Sequence, residues 1–171
     1  ESEEALMSIR ESQGYALGPD DGAMTWFLGG LLTWKASAGE TAGSYDLFEQ
    51  VGRQGFMAPL HTHEHESEGF YVLEGEVLFR VGDQVLTATA GTFAFVPPQV
   101  QHAFRVVSPQ AKFLTIVAPG GLRAFFEALG EQAPTRSLPP PPAEPPDPQR
   151  LIEQAAKYGI TILGPPPGES P

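Results

Sequence analysis

The sequence predicts a small all-β domain of the sandwich or barrel type, with short helices near its carboxyl terminus. Its 171 residues, 41% of them hydrophobic, are enough to form one domain with one buried core. The 19 glycines and 18 prolines exceed average usage and disfavour a helical bundle. Short runs rich in Val, Phe and Thr, separated by turn residues, are typical of the strands of a sandwich or barrel.

The candidate strands follow one another at short intervals through the middle of the chain. Two apolar stretches, at 26–34 and 44–51, flank a loop of small residues. From Phe56 onward, turn pairs such as Glu74-Gly75 separate shorter runs. The later strands are expected at 70–73, 77–81, 84–89, 92–96, 102–107 and 112–118.

Two short helices are predicted after the β region. Residues 121–129 have apolar side chains at helical spacing, and the proline-rich connector 134–148 is expected to be extended. Asp147 is suited to cap a second helix, with Pro148 in its first turn and Gly159 at its end. The apolar face of this helix needs a partner in this barrel or in another subunit, and it consists of Leu151, Ile152, Ala155 and Tyr158.

The chain is expected to have four parts and a single barrel, because no internal repeat is present. N-terminal strands and a loop in residues 1–43 flank a barrel core that spans 44–120. A short helix at 121–133 follows, and residues 134–171 form the connector, the last helix and a tail.

Composition excludes several functional classes. The net charge of −11 provides no basic surface for nucleic acid and would be repelled by an anionic membrane. The absence of cysteine excludes disulfides, a thiolate nucleophile and a cysteine metal site. The longest apolar stretch, 26–34, is too short to span a bilayer. The sequence starts at Glu1 without Met and shows no signal-peptide pattern, which leaves a removed leader open, and a cytoplasmic location is the default expectation.

The histidines indicate a metal site. On a strand, His61 and His63 project from the same face, where two imidazoles can chelate one ion. Glu68 has the wrong parity for that strand, so a turn through 64–67 must bring it back on a paired strand, and His102 completes the set. Imidazole and carboxylate without thiolate suit one divalent transition metal ion. The identity of the ion stays open among Ni, Mn, Fe, Co, Cu and Zn.

Neighbouring residues have less definite roles. His65 is an alternative ligand, a support for a ligand or, as we favour, a solvated loop residue. Glu64 and Glu66 are expected to be solvated and to add negative charge that helps to hold a cation. Strand alternation predicts an apolar substrate pocket above the metal, with ordinary barrel core as the alternative. The predicted pocket residues are Met57, Pro59, Phe70, Val72 and Phe104.

The spacing resembles the two sequence motifs of the cupin superfamily. The first motif corresponds to Gly55, His61, His63, Glu68 and Gly75, and the second to Gly91, Pro97 and His102. Two positions depart from the second motif, which usually has Gly where this chain has Gln99 and Asn where it has Val106. Neither position is a ligand. The resemblance implies one jelly-roll barrel that holds its metal ion through the four predicted ligands.

The chain also resembles bacterial single-cupin proteins of the quercetin 2,3-dioxygenase type. The resemblance lies in residues 34–43, 59–63, 68–75 and 158–166. It implies a homodimeric dioxygenase that opens the heterocyclic ring of a flavonol such as quercetin with O2 and releases carbon monoxide. Glu68 would be both metal ligand and catalytic base toward the flavonol 3-hydroxyl.

Two other classes of function stay open. One is a non-catalytic, metal-containing cupin that binds a small ligand. The other is a cupin isomerase or lyase, although the few Arg and Lys residues available inside the barrel disfavour a sugar-phosphate substrate.

Overall fold

The structure, a computed structural model, describes residues 14–168 and contains two antiparallel sheets packed face to face. The predicted all-β, jelly-roll fold with two short helices is therefore confirmed for the described residues. The helices are α1 (Arg123–Leu129) and α2 (Pro148–Ala156). The strands are β1 (Met24–Phe27), β2 (Gly30–Ala36), β3 (Asp46–Arg53), β4 (Met57–His63), β5 (Ser67–Glu74), β6 (Val77–Val81), β7 (Gln84–Ala88), β8 (Phe93–Val96), β9 (His102–Val106), β10 (Gln110–Ala118), β11 (Glu131–Gln132) and β12 (Ile160–Gly164).

In the middle of the chain, consecutive strands alternate between the two sheets, except that β6 and β7 pair with each other in the smaller sheet. The larger sheet has the order β11-β1-β2-β3-β10-β5-β8, and the smaller sheet has the order β12-β4-β9-β6-β7. Aromatic side chains from both sheets meet between them. The ring centroids of Phe70 and Phe79 are 5.2 Å apart, and those of Phe104 and Phe113 are 5.1 Å apart. This burial of apolar area joins the two layers.

The first apolar stretch is a hairpin rather than one strand. β1 and β2 pair with Phe27 opposite Gly30, so only two residues connect them. Leu28 and Gly29 both have positive φ, of 46° and 90°, as the two-residue turns that suit a twisted hairpin require. Both strands extend the larger sheet beside β3.

The last helix begins as predicted but buries a narrower face. The side chain of Asp147 accepts a hydrogen bond from the backbone N–H of Gln149, and Pro148 opens the helix. Ala155 is fully buried and Leu151 packs against the core, whereas Ile152 is 45% exposed. Ile152 lies about 100° around the helix from Leu151, so this barrel does not cover it and its contact with another subunit stays a prediction. Within the described residues, no helix has the length and apolar character needed to cross a membrane.

The tail contains a strand that the sequence did not predict. β12 pairs antiparallel with β4, placing Ile160 opposite His63 and Ile162 opposite His61. The tail thus forms the edge of the smaller sheet, beside the strand that carries two of the predicted ligands. Together with α2, it packs against a second apolar cluster around Phe48 and Phe125.

Candidate metal centre

Four side chains from three strands converge inside the barrel. His61 and His63 end β4, His102 begins β9, and Glu68 lies near the start of β5. Each offers a ligand atom within 4.8 Å of the others, and all four residues lie in a buried cluster. The four residues predicted as ligands are thus brought together.

Glu68 reaches the cluster from the opposite sheet. β4 pairs with β9, and this register places His61 directly opposite His102. The predicted turn after His63 is present, but it leads to β5, which pairs with β8 and β10 rather than with β4. The expected paired strand was therefore wrong, because the chain crosses between the layers at this turn. The crossing lets a carboxylate face the imidazoles across the barrel interior.

The interatomic distances show that the three imidazoles present the same nitrogen to one point. The Nε2 atoms of His61 and His63 are 3.1 Å apart. The Nε2 atom of His102 lies 2.8 Å from Oε2 of Glu68, and that of His63 lies 3.5 Å from Oε1. Three nitrogens and a carboxylate are a suitable donor set for a divalent transition metal ion.

Two backbone carbonyls determine which ring nitrogen is available in His61 and His102. Nδ1 of His61 donates to the carbonyl of Pro59 at 2.6 Å, and Nδ1 of His102 donates to that of Val100 at 2.9 Å. Because a carbonyl only accepts, the proton of each neutral ring is assigned to Nδ1. Each Nε2 therefore keeps a lone pair directed at the cluster, as metal ligation requires. The residues present fit a metal ion.

The electrostatics of the cluster also suit a cation. Burial, together with the neighbouring His102, lowers the pKa of His61 to about 3, so this ring is neutral. Burial alone would raise the pKa of Glu68, but the neighbouring His63 and the close contact with His102 lower it to about 2. For His63, burial acts to lower the pKa, and the Glu68 carboxylate reverses this and raises it. A buried carboxylate thus keeps its negative charge beside the imidazoles.

An apolar cavity of about 70 Å³ adjoins the cluster and is lined by His61, His63 and Glu68. It lies between the two apolar clusters of the core, since residues of both line it. Four of the five predicted pocket residues contribute to its wall, namely Met57, Pro59, Phe70 and Phe104. Val72 does not; it is fully buried in the core, packed away from the cavity.

Other residues of the cavity wall were not predicted from the sequence, among them a polar pair and part of the C-terminal segment. Gln50 and Thr115 are both buried, and the Gln50 amide donates to the Thr115 hydroxyl at 2.9 Å. Alternation along β3 could have identified Gln50, because it shares the inward face of Phe48. The C-terminal elements contribute Leu151 and, from the unpredicted strand, Ile160 and Ile162.

The acidic loop between β4 and β5 contains residues of two kinds. Glu64 and His65 are exposed and lie 3.7 Å apart, outside the cluster. Glu66 was expected to be solvated, but its side chain is only 12% exposed and its Oε2 lies 3.6 Å from Nδ1 of His63. The prediction for Glu66 was wrong because the loop folds inward behind His63.

The two departures from the second motif leave the site intact. Gln99 adopts φ of 66°, the left-handed conformation that favours glycine, and its N–H donates to the His63 carbonyl at 2.7 Å. Val106 is fully buried, and its backbone bonds Gly55 and Phe56 in both directions, at 2.9 and 2.8 Å. Backbone hydrogen bonds thus hold both segments.

Comparison with known proteins identifies the family of the domain that contains this site. Residues 48–117 match the family described as the cupin domain. The solved structure of an RmlC-like cupin from Shewanella frigidimarina NCIMB 400 superposes with a TM-score of 0.57 at 21% identity, covering 68% of this chain and 98% of that one. Residues 48–117 therefore form a domain of the cupin superfamily.

Within that superfamily, the chain resembles quercetin 2,3-dioxygenases. The enzyme of Bacillus subtilis (strain 168) is 30% identical over 96 residues, which are 56% of this chain and 28% of that protein. The enzyme of Aspergillus japonicus is 28% identical over 78 residues, which are 43% of this chain and 22% of that protein. The chain thus spans about a quarter of the length of these curated relatives.

Proposed function

We propose that this cupin is a metal-dependent dioxygenase that opens the heterocyclic ring of a flavonol, such as quercetin, with O2. The observation that carries the proposal is the buried cluster of three histidines and Glu68, which opens onto an apolar cavity. The resemblance to two quercetin 2,3-dioxygenases supports the choice of substrate. The ring-opened ester and carbon monoxide together contain all atoms of the flavonol and O2, so no further reactant is needed.

The residues of the cluster have complementary roles in this proposal. His61, His63, His102 and Glu68 would hold the ion, which would supply Lewis-acid and one-electron chemistry. Glu68 is ionised and lines the cavity, so it can accept the proton of the flavonol 3-hydroxyl. A second function for this carboxylate agrees with its position between the imidazoles and the substrate space.

The cavity wall would orient and shield the substrate. Phe70 and Phe104 present aromatic surface to a flat ring system, and the apolar wall excludes water. Gln50 and Thr115 offer polar groups for a hydroxyl or carbonyl away from the metal ligands. The wall is otherwise apolar and provides no lysine or arginine to bind a phosphate.

The size of the cavity imposes a condition on this proposal. About 70 Å³ is well below the roughly 300 Å³ at the lower end of ordinary ligand pockets. A flavonol therefore requires side chains of the wall to move outward. Leu28, Leu151 and Ile162 belong to the hairpin turn, α2 and β12, and they are among the wall residues outside the central strands.

A smaller ligand is the second candidate, and the small cavity favours it. A metal-containing cupin that binds such a ligand without turnover, or an isomerase or lyase, would need no enlargement. The proposed dioxygenase differs from both because it consumes O2.

The test is to add quercetin, with and without O2, to protein reconstituted with each candidate metal. We expect oxygen-dependent loss of flavonol absorbance with release of carbon monoxide. Glu68→Gln should weaken metal binding and reduce turnover by about 100-fold or more, because both ligand and base are lost. Glu64→Gln, an exposed neighbour, is the control and should behave as wild type.

Other outcomes would contradict the proposed function. Tight binding of quercetin without its loss would favour a binding protein, and an inert mixture would favour another substrate. Wild-type turnover by Glu68→Gln would refute the role of Glu68. The homodimer and the cytoplasmic location stay predictions, and sedimentation of the metal-loaded protein measures the former.

A further inference from the structure

Two buried polar atoms behind the metal centre have no hydrogen-bond partner. Among residues 14–168, only Nδ1 of His63 and Oε2 of Glu66 are buried side-chain nitrogen or oxygen atoms of this kind. They face each other at 3.6 Å, slightly beyond hydrogen-bonding distance. Because leaving such groups unpaired costs free energy, their juxtaposition requires an explanation.

His63 differs from the other two histidines of the cluster. Nδ1 of His61 and Nδ1 of His102 each donate to a backbone carbonyl. The Nδ1 atom of His63 faces the Glu66 carboxylate instead of a backbone carbonyl. Its Nε2 faces Glu68 and His61 in the cluster, so the imidazole lies between two carboxylates.

We infer that Glu66 is a positioning residue for His63, accepting a hydrogen bond from Nδ1–H and thereby directing Nε2 at the metal ion. A displacement of a few tenths of an ångström, of the kind that ligation would produce, brings the pair within about 3.2 Å. The carboxylate fixes the ring tautomer and increases the basicity of Nε2. This inference rests on the metal site of the proposed function.

The loop geometry separates Glu66 from its acidic neighbour. Both Glu64 and Glu66 lie between β4 and β5 and adjoin a histidine. The Glu64 side chain is 64% exposed and lies near the exposed His65, whereas Glu66 is turned into the barrel wall. Both residues therefore place negative charge near the site. Only Glu66 lies against a candidate ligand, His63. Glu64 supplies a matched control.

The first test measures metal affinity by competition with a chelator. We expect Glu66→Ala to bind the metal about 10- to 100-fold more weakly than wild type, because the support of His63 is lost. Glu66→Gln keeps an acceptor oxygen without the charge, so its affinity should be intermediate. Glu64→Gln should bind as wild type does. Equal affinity in wild type and Glu66→Ala would overturn the inference.

The second test observes the proposed hydrogen bond directly. In zinc-loaded protein with ¹⁵N-labelled histidine, the Nδ1 proton of His63 should exchange slowly with water. In Glu66→Ala this exchange should become fast, while the Nδ1 protons of His61 and His102 remain protected by their carbonyls. An unchanged His63 signal in Glu66→Ala would contradict the inference. If Glu66→Ala does not fold, Glu66→Gln is compared with wild type in both measurements, and unchanged affinity with an unchanged signal contradicts it.

The failure of this inference can be distinguished from failure of the proposed function. If wild-type protein retains no metal, the metal site itself is refuted. If wild-type protein binds metal and the Glu66 variants bind it equally well, only the role of Glu66 is refuted.

Discussion

At the scale of single residues, the backbone conformation of Gln99 supports the candidate metal site. Its φ of 66° is unfavourable for a residue with a Cβ atom, and the related motif usually has glycine there. Its N–H nevertheless donates to the carbonyl of His63 at 2.7 Å. The turn before β9 therefore holds the end of β4, where two of the four candidate ligands lie.

We predict that Gln99→Gly stabilises the protein by about 0.5 to 1 kcal/mol. Glycine removes the left-handed strain, and its greater freedom in the unfolded chain offsets part of that gain. Equilibrium unfolding in urea measures the difference.

Gly91→Ala is the matched control for this prediction. Gly91 has φ of 89°, and no atom lies within 4 Å of the position that a Cβ would occupy. Alanine there should destabilise by about 1 kcal/mol through conformation alone. If Gln99→Gly lowers the free energy of unfolding, the strain at this position is not the controlling effect.

Residue types and spacing predicted the four candidate ligands but not all of their surroundings. Alternation placed His61 and His63 on one face, and the structure agrees. Alternation also directs Val72 inward, but it cannot tell which end of the barrel an inward residue occupies, and Val72 lies in the core. Glu66 lies in a loop, where no periodicity indicates which side chains turn inward.

At the scale of elements, the C-terminal segment makes the largest difference between expectation and structure. Strong local signals identified α2, with a capping Asp147 and Pro148 at its start. β12 was missed because its partner, β4, is about 100 residues away and pairing at that distance leaves no local pattern. This strand completes the smaller sheet and contributes Ile160 and Ile162 to the cavity wall.

Substitutions on β12 test whether this strand contributes to the barrel. Ile160 is 4% exposed and Leu163, on the same strand, is 52% exposed. Ile160→Ala should destabilise the protein by about 2 to 4 kcal/mol because it leaves a cavity in the core. Leu163→Ala, as the control, should change the free energy of unfolding by less than about 0.5 kcal/mol.

Thermal or urea unfolding of both variants gives the comparison. Similar effects of the two substitutions would contradict the placement of β12 against the core. A large effect of Ile160→Ala with little effect of Leu163→Ala would support it.

At the scale of the whole molecule, the sequence predicted the barrel but not which of its two sheets contributes each candidate ligand. Turn residues and short apolar runs located most strands, because both are local properties. The crossing from β4 to β5 is a tertiary feature, and it places Glu68 opposite the histidines rather than beside them. The small size of the cavity likewise depends on packing of α1, α2 and β12 against the sheets.

We propose that this barrel binds one metal ion through His61, His63, Glu68 and His102. Elemental analysis after reconstitution and exhaustive dialysis tests it most directly. We predict one transition metal ion per chain in wild type and almost none in His63→Ala, with Glu64→Gln retaining a full complement. Equal metal content in wild type and His63→Ala, or none in wild type under any of the candidate metals, would contradict the account.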